Sequence, residues 1–351
     1  MLRSYNRLFG RFRQTTLNSS FNYSRRGQKP EEPEFEPIES RSSFVVLNKP
    51  TQQKWFPKHM SIQLSKMEAR LRAIDLVVEV HDARIALTGR NTDFKDRLFA
   101  IRPHILVLNK CDLIHINYRK RIEQYYRSEG VQNILWTDCK ARKKKALIDL
   151  QELMFDCLKN DHRFNRMNKT EYYVMVVGIP NVGKSSLINS LRTNNLGKEQ
   201  KAVAEGARPG VTVRVQNRVK IMDIPPVYIL DTPGVLNPQP RSMDDTMKLG
   251  LCDTILESSL ETELLADYLL FWMNKHKDYS YLKALKLDCG PTDDIKKLLL
   301  ETCKTHDLRA KVIIPGERFT DRWDFDAAVS SFVNAFRARK IKDCFLDKDR
   351  L

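Results

Sequence analysis

The chain has 351 residues, and its 60 Lys and Arg against 44 Asp and Glu give a net charge of +16 at pH 7. This length allows two domains with cores of their own, and the positive charge favours a polyanionic partner. Seven cysteines without a Cys-x-x-Cys pair indicate a reducing compartment and argue against a disulfide framework, and no apolar run is long enough to cross a bilayer.

Residues 1–29 are rich in arginine and serine and contain no acidic residue. This composition is typical of a mitochondrial transit peptide, so it predicts import into the mitochondrial matrix. A basic arm that stays attached and contacts nucleic acid is the alternative interpretation. Residues 30–50 begin with an acidic, proline-rich stretch and are predicted to be a linker.

An apolar strand predicted over residues 105–108 leads into an Asn-Lys-x-Asp tetrad with Asn109, Lys110 and Asp112. The Asp112 carboxylate can accept two hydrogen bonds from the N1 and N2 edge of guanine, so we expect it to select the base. A short polar turn after a strand is also an ordinary feature. A looser match is the segment over residues 134–140, in which a strand is followed by small and polar residues that include Cys139 and Lys140, and we expect its loop to lie behind the guanine.

The strongest motif is GIPNVGKS at residues 178–185, a phosphate-loop pattern that follows a strand predicted over residues 172–177. Its glycines allow backbone amides to close around phosphate. Lys184 is predicted to reach the β- and γ-phosphates and the Ser185 hydroxyl to bind Mg²⁺, at the positive end of a helix. The residues of this loop predicted to bind GTP or GDP are Asn181, Val182, Gly183, Lys184, Ser185 and Ser186.

Two further loops resemble the switches of a nucleotide-dependent enzyme. Thr212 is predicted to coordinate Mg²⁺ only in the triphosphate form, and so to order and disorder with the nucleotide. A strand predicted over residues 227–230 leads to Asp231-Thr232-Pro233-Gly234. Asp231 is expected in the outer coordination sphere of Mg²⁺, and the Gly234 amide at the γ-phosphate. As isolated turns, both segments would only mark loops.

The base loop precedes the phosphate loop, and the switch loops come last, so these motifs predict a circularly permuted P-loop GTPase domain. We expect an α/β fold over residues 51–240, with a mostly parallel sheet and helices on both faces. Permutation is tolerated where the original termini lie close together. Beyond residue 240, apolar residues recur at helical spacing and predict a small all-helical domain over residues 241–351, with a hypothetical role in ribosome and RNA docking.

The permuted loops, together with Trp55-Phe56-Pro57-Lys58-His59-Met60 and Asp82-Ala83-Arg84-Ile85, resemble the RbgA family of bacterial ribosome-biogenesis GTPases. The similarity covers about residues 50 to 275. Two positions depart from the family pattern: Lys58 replaces a glycine and Ala86 replaces a proline. The resemblance implies a GTPase that binds the large ribosomal subunit and its rRNA, here in the mitochondrion, and nothing in the sequence suggests an oligomer, so we expect a monomer.

Hydrolysis is harder to assign, because Val235 follows the Asp-Thr-Pro-Gly loop where other GTPases often carry a glutamine that orients water. The resemblance implies His59 as the catalytic candidate, with a structural histidine as the alternative. It also implies that Asn181 helps to hold a K⁺ ion, although a turn-forming asparagine is nearly as good an explanation. Slow turnover that a partner raises is therefore expected.

Two clusters of basic residues are candidates for contacts with RNA phosphates. No aromatic-interleaved RNA-reading motif is present, so recognition of the shape and backbone of folded rRNA is favoured. Peripheral association with the inner membrane is left open. Two alternatives to an assembly GTPase remain: a nucleotide-gated translational regulator or scaffold with little hydrolysis, and a GTPase that partners an RNA-modifying enzyme. The clusters are Lys140, Arg142, Lys143, Lys144 and Lys145, and Arg337, Arg339, Lys340 and Lys342.

Overall fold

The structure, a computed structural model, describes residues 35, 37–45, 58–91, 94, 95, 98, 102–141, 144–160, 170–197, 203, 218–236, 242–255, 260–312 and 320–351. Residues Pro37–Leu351 form one compact unit. The predicted transit peptide and the Trp55–Pro57 part of the family motif lie outside the described residues.

A six-stranded sheet forms the centre of this unit, with the strand order β3-β2-β1-β4-β6-β5. Five strands run parallel, and β5 pairs antiparallel with β6 at one edge. The strands are β1 Leu76–Asp82, β2 His104–Asn109, β3 Ile134–Trp136, β4 Tyr172–Val177, β5 Arg218–Met222 and β6 Val227–Asp231.

Strand β1 lies between β2 and β4, and every one of its residues is buried. Successive side chains point to opposite faces of a strand, so both faces of the sheet are covered at this point. In the register between β1 and β2, Asp82 lies opposite Asn109. The end of β1 therefore brings Asp82 between the loop that follows β2 and the loop that follows β4.

One charged residue interrupts the apolar run of β1. The Glu79 carboxylate is fully buried, and it lies 2.7 Å from His81 Nε2 and 3.0 Å from His104 Nε2. Burial raises the pKa of a carboxyl, but the charge of His81 and the hydrogen bonds from both histidines outweigh it, so the net pKa of Glu79 lies below its usual range. The carboxylate therefore stays ionised inside the sheet.

Helices surround the sheet and form most of the region after residue 240. None of the helices in the described ranges is long and apolar enough to cross a membrane. The α-helices are α1 Lys58–Arg70, α2 Asn117–Ser128, α3 Lys144–Asn160, α4 Lys184–Leu196, α5 Met243–Leu251, α6 Thr262–Lys275, α7 Ser280–Ala284, α8 Ile295–His306 and α9 Phe325–Arg337.

The C-terminal region also contains a two-stranded antiparallel ribbon, which the sequence prediction of an all-helical domain missed. Its strands are β7 Arg309–Val312 and β8 Thr320–Trp323. Arg309 pairs with Trp323 in the register, and its guanidinium lies 4.9 Å from the centre of the indole ring. Each strand has only four residues, which is too short for a period of two to appear in the sequence.

The chain after α9 returns to the nucleotide-binding part of the sequence. Phe345 packs in a buried cluster with Ile122 and Tyr126 of α2. The Asp347 carboxylate is fully buried and accepts hydrogen bonds from the backbone N–H groups of Leu87 and Thr88, at 2.8 and 2.9 Å. The division into two domains at residue 240 stays a prediction. The segment after α9 nevertheless packs against residues that precede position 240 as well as residues that follow it.

Candidate functional site

The predicted nucleotide loops meet at one edge of the sheet. Strands β1, β2, β4 and β6 run parallel, so their carboxyl ends lie at the same edge, where open α/β sheets bind ligands. The base loop follows β2, the phosphate loop follows β4, and the Asp231-Thr232-Pro233-Gly234 loop begins at the end of β6. Loops that are far apart in sequence are thus brought together by the strand order.

The phosphate loop closes around its own lysine. Lys184, the first residue of α4, donates hydrogen bonds from Nζ to the carbonyl oxygens of Gly178 and Ile179, at 3.2 and 2.9 Å. Burial lowers the pKa of Lys184 to about 8, although the charge of Asp231 acts in the opposite direction. The ammonium is therefore poorly compensated, and a phosphate group is the type of anion that would compensate it.

Gly183 precedes α4 with a φ of 99°, in the left-handed region that favours glycine. A Cβ atom at this position would lie 2.3 Å from Nδ2 of Asn109, so a side chain would displace the base loop. The glycine therefore sets how closely the phosphate loop and the base loop approach.

Asn109 connects three loops through its amide. Its Nδ2 donates to the carbonyl oxygen of Val182 at 2.8 Å, and its Oδ1 accepts hydrogen bonds from Thr137 Oγ1 at 3.1 Å and Cys139 N at 3.3 Å. Lys110, with a left-handed φ of 58°, donates from Nζ to the carbonyl oxygen of Asn181 at 2.7 Å. The base loop, the phosphate loop and the loop after β3 thus form one hydrogen-bonded unit.

The predicted base selector has a partner that the sequence did not suggest. Asp112 Oδ2 lies 3.5 Å from Nη1 of Arg339, which follows α9 and is 57% exposed. Its neighbours Lys340 and Lys342 are exposed, whereas Arg337 donates hydrogen bonds to the carbonyl oxygens of Gly250 and Leu251 at the end of α5. Arg337 is therefore a helix-capping residue in this structure and not part of an open basic surface.

The position expected for Mg²⁺ has suitable ligands. Asp231 Oδ2 accepts a hydrogen bond from Ser185 Oγ at 3.4 Å, and Asp231 Oδ1 is buried without a hydrogen-bond partner. Burial raises the pKa of Asp231, so the carboxylate would gain from a nearby cation. Hydroxyl and carboxylate oxygens are ligands that Mg²⁺ prefers, and these residues fit the ion.

The described ranges hold no group of three or more His, Cys, Asp or Glu residues that could bind a metal ion. Mg²⁺ in nucleotide sites takes one or two protein ligands and the rest from phosphates and water. A single carboxylate beside a hydroxyl group is therefore the pattern to expect.

The loop after β6 packs against the phosphate loop. A Cβ atom on Gly234 would lie 2.5 Å from Pro180 N, and the Val235 N–H donates to the Gly178 carbonyl oxygen at 3.2 Å. Val235 is fully buried. The apolar side chain of Val235 is thus shielded from solvent and has no polar atom with which to position a water molecule.

Asn181, the candidate K⁺ ligand, has a left-handed φ of 57°. Its Nδ2 donates to the carbonyl oxygen of Asp253 at 2.7 Å and to Asp253 Oδ2 at 3.1 Å. Asp253 lies in the turn after α5 and has a positive φ of its own. Asn181 thus joins the phosphate loop to the C-terminal region, and K⁺ would be bound through the opposite end of the amide, its oxygen.

Some of the remaining predicted positions lie outside the described residues, and two are placed by the structure. Thr212 lies outside the described residues, as do Arg142 and Lys143 of the first basic cluster. His59 is the second residue of α1, and its side chain is outside the described part of the chain. Lys140 is exposed, and Ser186 lies in the first turn of α4. All of these assignments stay predictions.

Comparisons with known proteins agree with this geometry. Residues 173–302 match a family model described as a 50S ribosome-binding GTPase. The chain is 39% identical over 298 residues to mitochondrial ribosome-associated GTPase 1 of Ictalurus punctatus, covering 84% of this chain and 92% of that protein. The chain belongs to the mitochondrial ribosome-associated GTPase 1 family.

Two further relatives have a similar sequence identity to this chain, and one solved structure is more distant. The protein of the same name from Mus musculus is 38% identical over 300 residues, covering 84% of this chain and 90% of the relative. Mitochondrial GTPase 1 of Aedes aegypti is 36% identical over 312 residues, covering 88% of this chain and 98% of that protein. A crystal structure of GNP-bound YlqF from T. maritima is 21% identical, covers 80% of this chain and 96% of its own, and has a TM-score of 0.47.

The predicted enzyme class and fold class are confirmed: the protein is a GTPase with a mostly parallel, circularly permuted α/β domain followed by a helical region. The names of the relatives also support the mitochondrial location predicted from residues 1–29. The individual site residues are carried into the proposal that follows.

Proposed function

We propose that this GTPase binds the large mitochondrial ribosomal subunit in its GTP form, promotes assembly of that subunit and regulates mitochondrial translation, and leaves after hydrolysis. The observation that carries the nucleotide part is the direct hydrogen bonding between the base loop and the phosphate loop, from Asn109 to Val182 and from Lys110 to Asn181. Two loops held together in this way can bind the two ends of one guanine nucleotide.

Each residue of the site has a role in this proposal. Asp112 accepts the guanine edge, and Lys184 exchanges its two carbonyl partners for the β- and γ-phosphates. Ser185 and Asp231 are the residues that would hold Mg²⁺, and a bound ion would supply positive charge beside the phosphates. Thr212 and the Gly234 amide respond to the γ-phosphate.

The exposed basic residues support a polyanionic partner such as rRNA. Lys140 is exposed in the loop after β3, and Lys144 and Lys145 are exposed at the start of α3. Arg339, Lys340 and Lys342 are exposed after α9, where Arg339 lies beside Asp112 of the base loop. Both groups contribute positive charge near the guanine end of the site, where phosphate contacts would be favourable. The relatives are named ribosome-associated, and the matched family model is described as ribosome-binding. The proposed place of action is the mitochondrial matrix.

GTP hydrolysis by the full chain, with and without purified large mitochondrial subunits and in K⁺ or Na⁺ buffer, tests the proposal. We expect stimulation by the subunit, and a loss of activity in Na⁺ if Asn181 holds K⁺. Lys184→Ala is expected to abolish nucleotide binding, whereas His59→Ala is expected to spare binding and reduce turnover. GTP binding without stimulation under any condition would overturn the hydrolysis-driven cycle.

The buried, apolar Val235 favours a second candidate, a nucleotide-gated scaffold or translational regulator with little hydrolysis. In that case nucleotide binding alone would control ribosome association. Complementation in cells separates the two: rescue by His59→Ala but not by Lys184→Ala supports the scaffold.

A further inference from the structure

A buried ionic cluster lies between the base loop and the phosphate loop. Its centre is Asp82, the last residue of β1, which is 1% exposed. Because β1 lies between β2 and β4 in the sheet, the Asp82 carboxylate is placed where the two nucleotide loops begin. Burying an ionised carboxylate costs free energy unless a cation or hydrogen-bond donors pair with it, so the fold must supply such partners to Asp82.

The Asp82 carboxylate binds two cations. Oδ1 accepts hydrogen bonds from Nε and the backbone N of Arg84, both at 3.0 Å, and Oδ2 accepts one from Arg84 Nη2 at 2.7 Å. Oδ2 also lies 2.9 Å from Nζ of Lys110. Burial raises the pKa of a carboxyl, but the charges of Arg84 and Lys110 outweigh it and hold the net pKa of Asp82 well below its usual range.

Lys110 is held from two sides by this arrangement. The same Nζ that contacts Asp82 donates to the carbonyl oxygen of Asn181 in the phosphate loop, at 2.7 Å. The left-handed backbone of Lys110 is unfavourable for a residue with a side chain and persists only where contacts hold it. The Asp82 carboxylate is thus part of what fixes the base loop against the phosphate loop.

The other cation reaches the C-terminal region. The Arg84 guanidinium lies 5.7 Å from the centre of the Phe336 ring on α9, and its Nη2 lies 3.5 Å from the carbonyl oxygen of Cys252 after α5. The Arg84 carbonyl oxygen accepts a hydrogen bond from Leu346 N at 2.8 Å. Through the Arg84 guanidinium, the Asp82 carboxylate therefore connects a nucleotide loop with α9 and with the residue after α5, and the Arg84 backbone binds the segment after α9.

We propose that Asp82 is a positioning residue for guanine-nucleotide binding, which fixes Lys110 between the two nucleotide loops and, through Arg84, joins them to the C-terminal helices. This inference rests on the proposed nucleotide site and assigns a role there to the Asp82-Ala83-Arg84-Ile85 turn. If Asp82 only stabilised the fold, its substitution would lower the stability to unfolding, and its effect on GDP affinity would not depend on the presence of Lys110.

A double-mutant cycle in the full chain separates the two roles. We expect Asp82→Asn to weaken GDP binding about tenfold or more, because a charged hydrogen bond that orients Lys110 is lost. In a Lys110→Met background, which already lacks the ammonium, Asp82→Asn should change GDP affinity by less than about twofold. Effects of the two substitutions that simply add would overturn the proposal.

Asp75 provides a matched control at the opposite edge of the sheet. It is also buried, and its Oδ2 accepts a hydrogen bond from Tyr173 N at 2.8 Å. Asp75→Asn should lower the unfolding temperature and leave GDP affinity unchanged. A loss of GDP affinity in Asp75→Asn equal to that in Asp82→Asn would show a general effect of destabilisation and overturn the proposal.

Hydrogen exchange on the wild-type chain gives a test that needs no variant. GDP is expected to increase amide protection in the base loop and at Leu346 together, since both are joined through the cluster. Protection of the base loop alone would overturn the link to the C-terminal region. A wild-type chain that binds no GDP in calorimetry would overturn the proposed function and this inference together, whereas normal GDP binding with additive substitutions overturns only the inference.

Discussion

Gly183 offers the sharpest test of the contact between the phosphate loop and the base loop. An alanine there meets two penalties: a left-handed φ of 99°, and a Cβ atom 2.3 Å from Asn109 Nδ2. The φ alone costs about 1–2 kcal/mol of folding stability. The clash displaces Asn109 and breaks its hydrogen bond to Val182, so we expect Gly183→Ala to weaken GDP binding about tenfold or more.

Gly130 is the matched control for this experiment. Its φ is 85°, and a Cβ atom there would have no neighbour within 4 Å. Gly130→Ala should therefore lose a similar amount of stability through φ alone and keep its affinity for GDP. Urea unfolding measures the first quantity, and titration with a fluorescent GDP analogue measures the second. Unchanged GDP affinity in Gly183→Ala, or an equal loss in Gly130→Ala, would refute the reasoning.

Three further predictions follow from the same structure. Arg339→Ala should raise GDP affinity by up to about fivefold in low salt, because a surface ion pair that competes for Asp112 is removed; Lys340→Ala in the same titration should change little. Asp347→Ala should lower the free energy of unfolding in urea by about 3–5 kcal/mol, because buried donors lose their acceptor. The same substitution at the more exposed Asp349 should lower it by under about 1 kcal/mol, and equal losses at the two positions would contradict this prediction. Glu79 has a lowered pKa, so the stability that Glu79→Gln removes should be present at pH 7 and shrink as the pH falls below about 4.3; a difference independent of pH down to acid unfolding would contradict the assignment.

Burial raises the pKa of Asp347, so its charge does not itself add stability to the fold. The expected loss of stability in Asp347→Ala comes from the buried donors that the substitution leaves without this acceptor. The N–H groups of Leu87 and Thr88 and the buried ammonium of Lys248, 3.9 Å away, would lose a nearby acceptor. Asp347→Asn keeps one acceptor oxygen and should therefore cost less than alanine does.

The strands that carry the nucleotide loops could be predicted because their signals are local. Strand β4 occupies the predicted residues 172–177, and β2 and β6 contain the predicted apolar runs. In each case a short apolar segment is followed at once by a motif with its own required geometry, so strand and loop confirm each other within a dozen residues.

Contacts between distant parts of the chain could not be predicted in this way. Arg337 looked like part of a basic surface, yet it caps α5, more than eighty positions earlier in the chain. The pairing of Arg339 with Asp112 and the burial of Asp347 likewise depend on the return of the chain after α9. A single sequence records the charge of such residues but not the partner that the fold brings to them.

The burial of Asp347 also makes a contact near the central strand depend on the segment after α9. Its acceptor oxygens satisfy N–H groups that lie 260 residues earlier, immediately after the central strand and its Asp82-Ala83-Arg84-Ile85 turn. During synthesis, the early segment therefore emerges long before its partner. Until residue 347 is available, the N–H groups of Leu87 and Thr88 lack this acceptor, so a chain shortened before that residue would leave the segment after the central strand without one of its buried contacts.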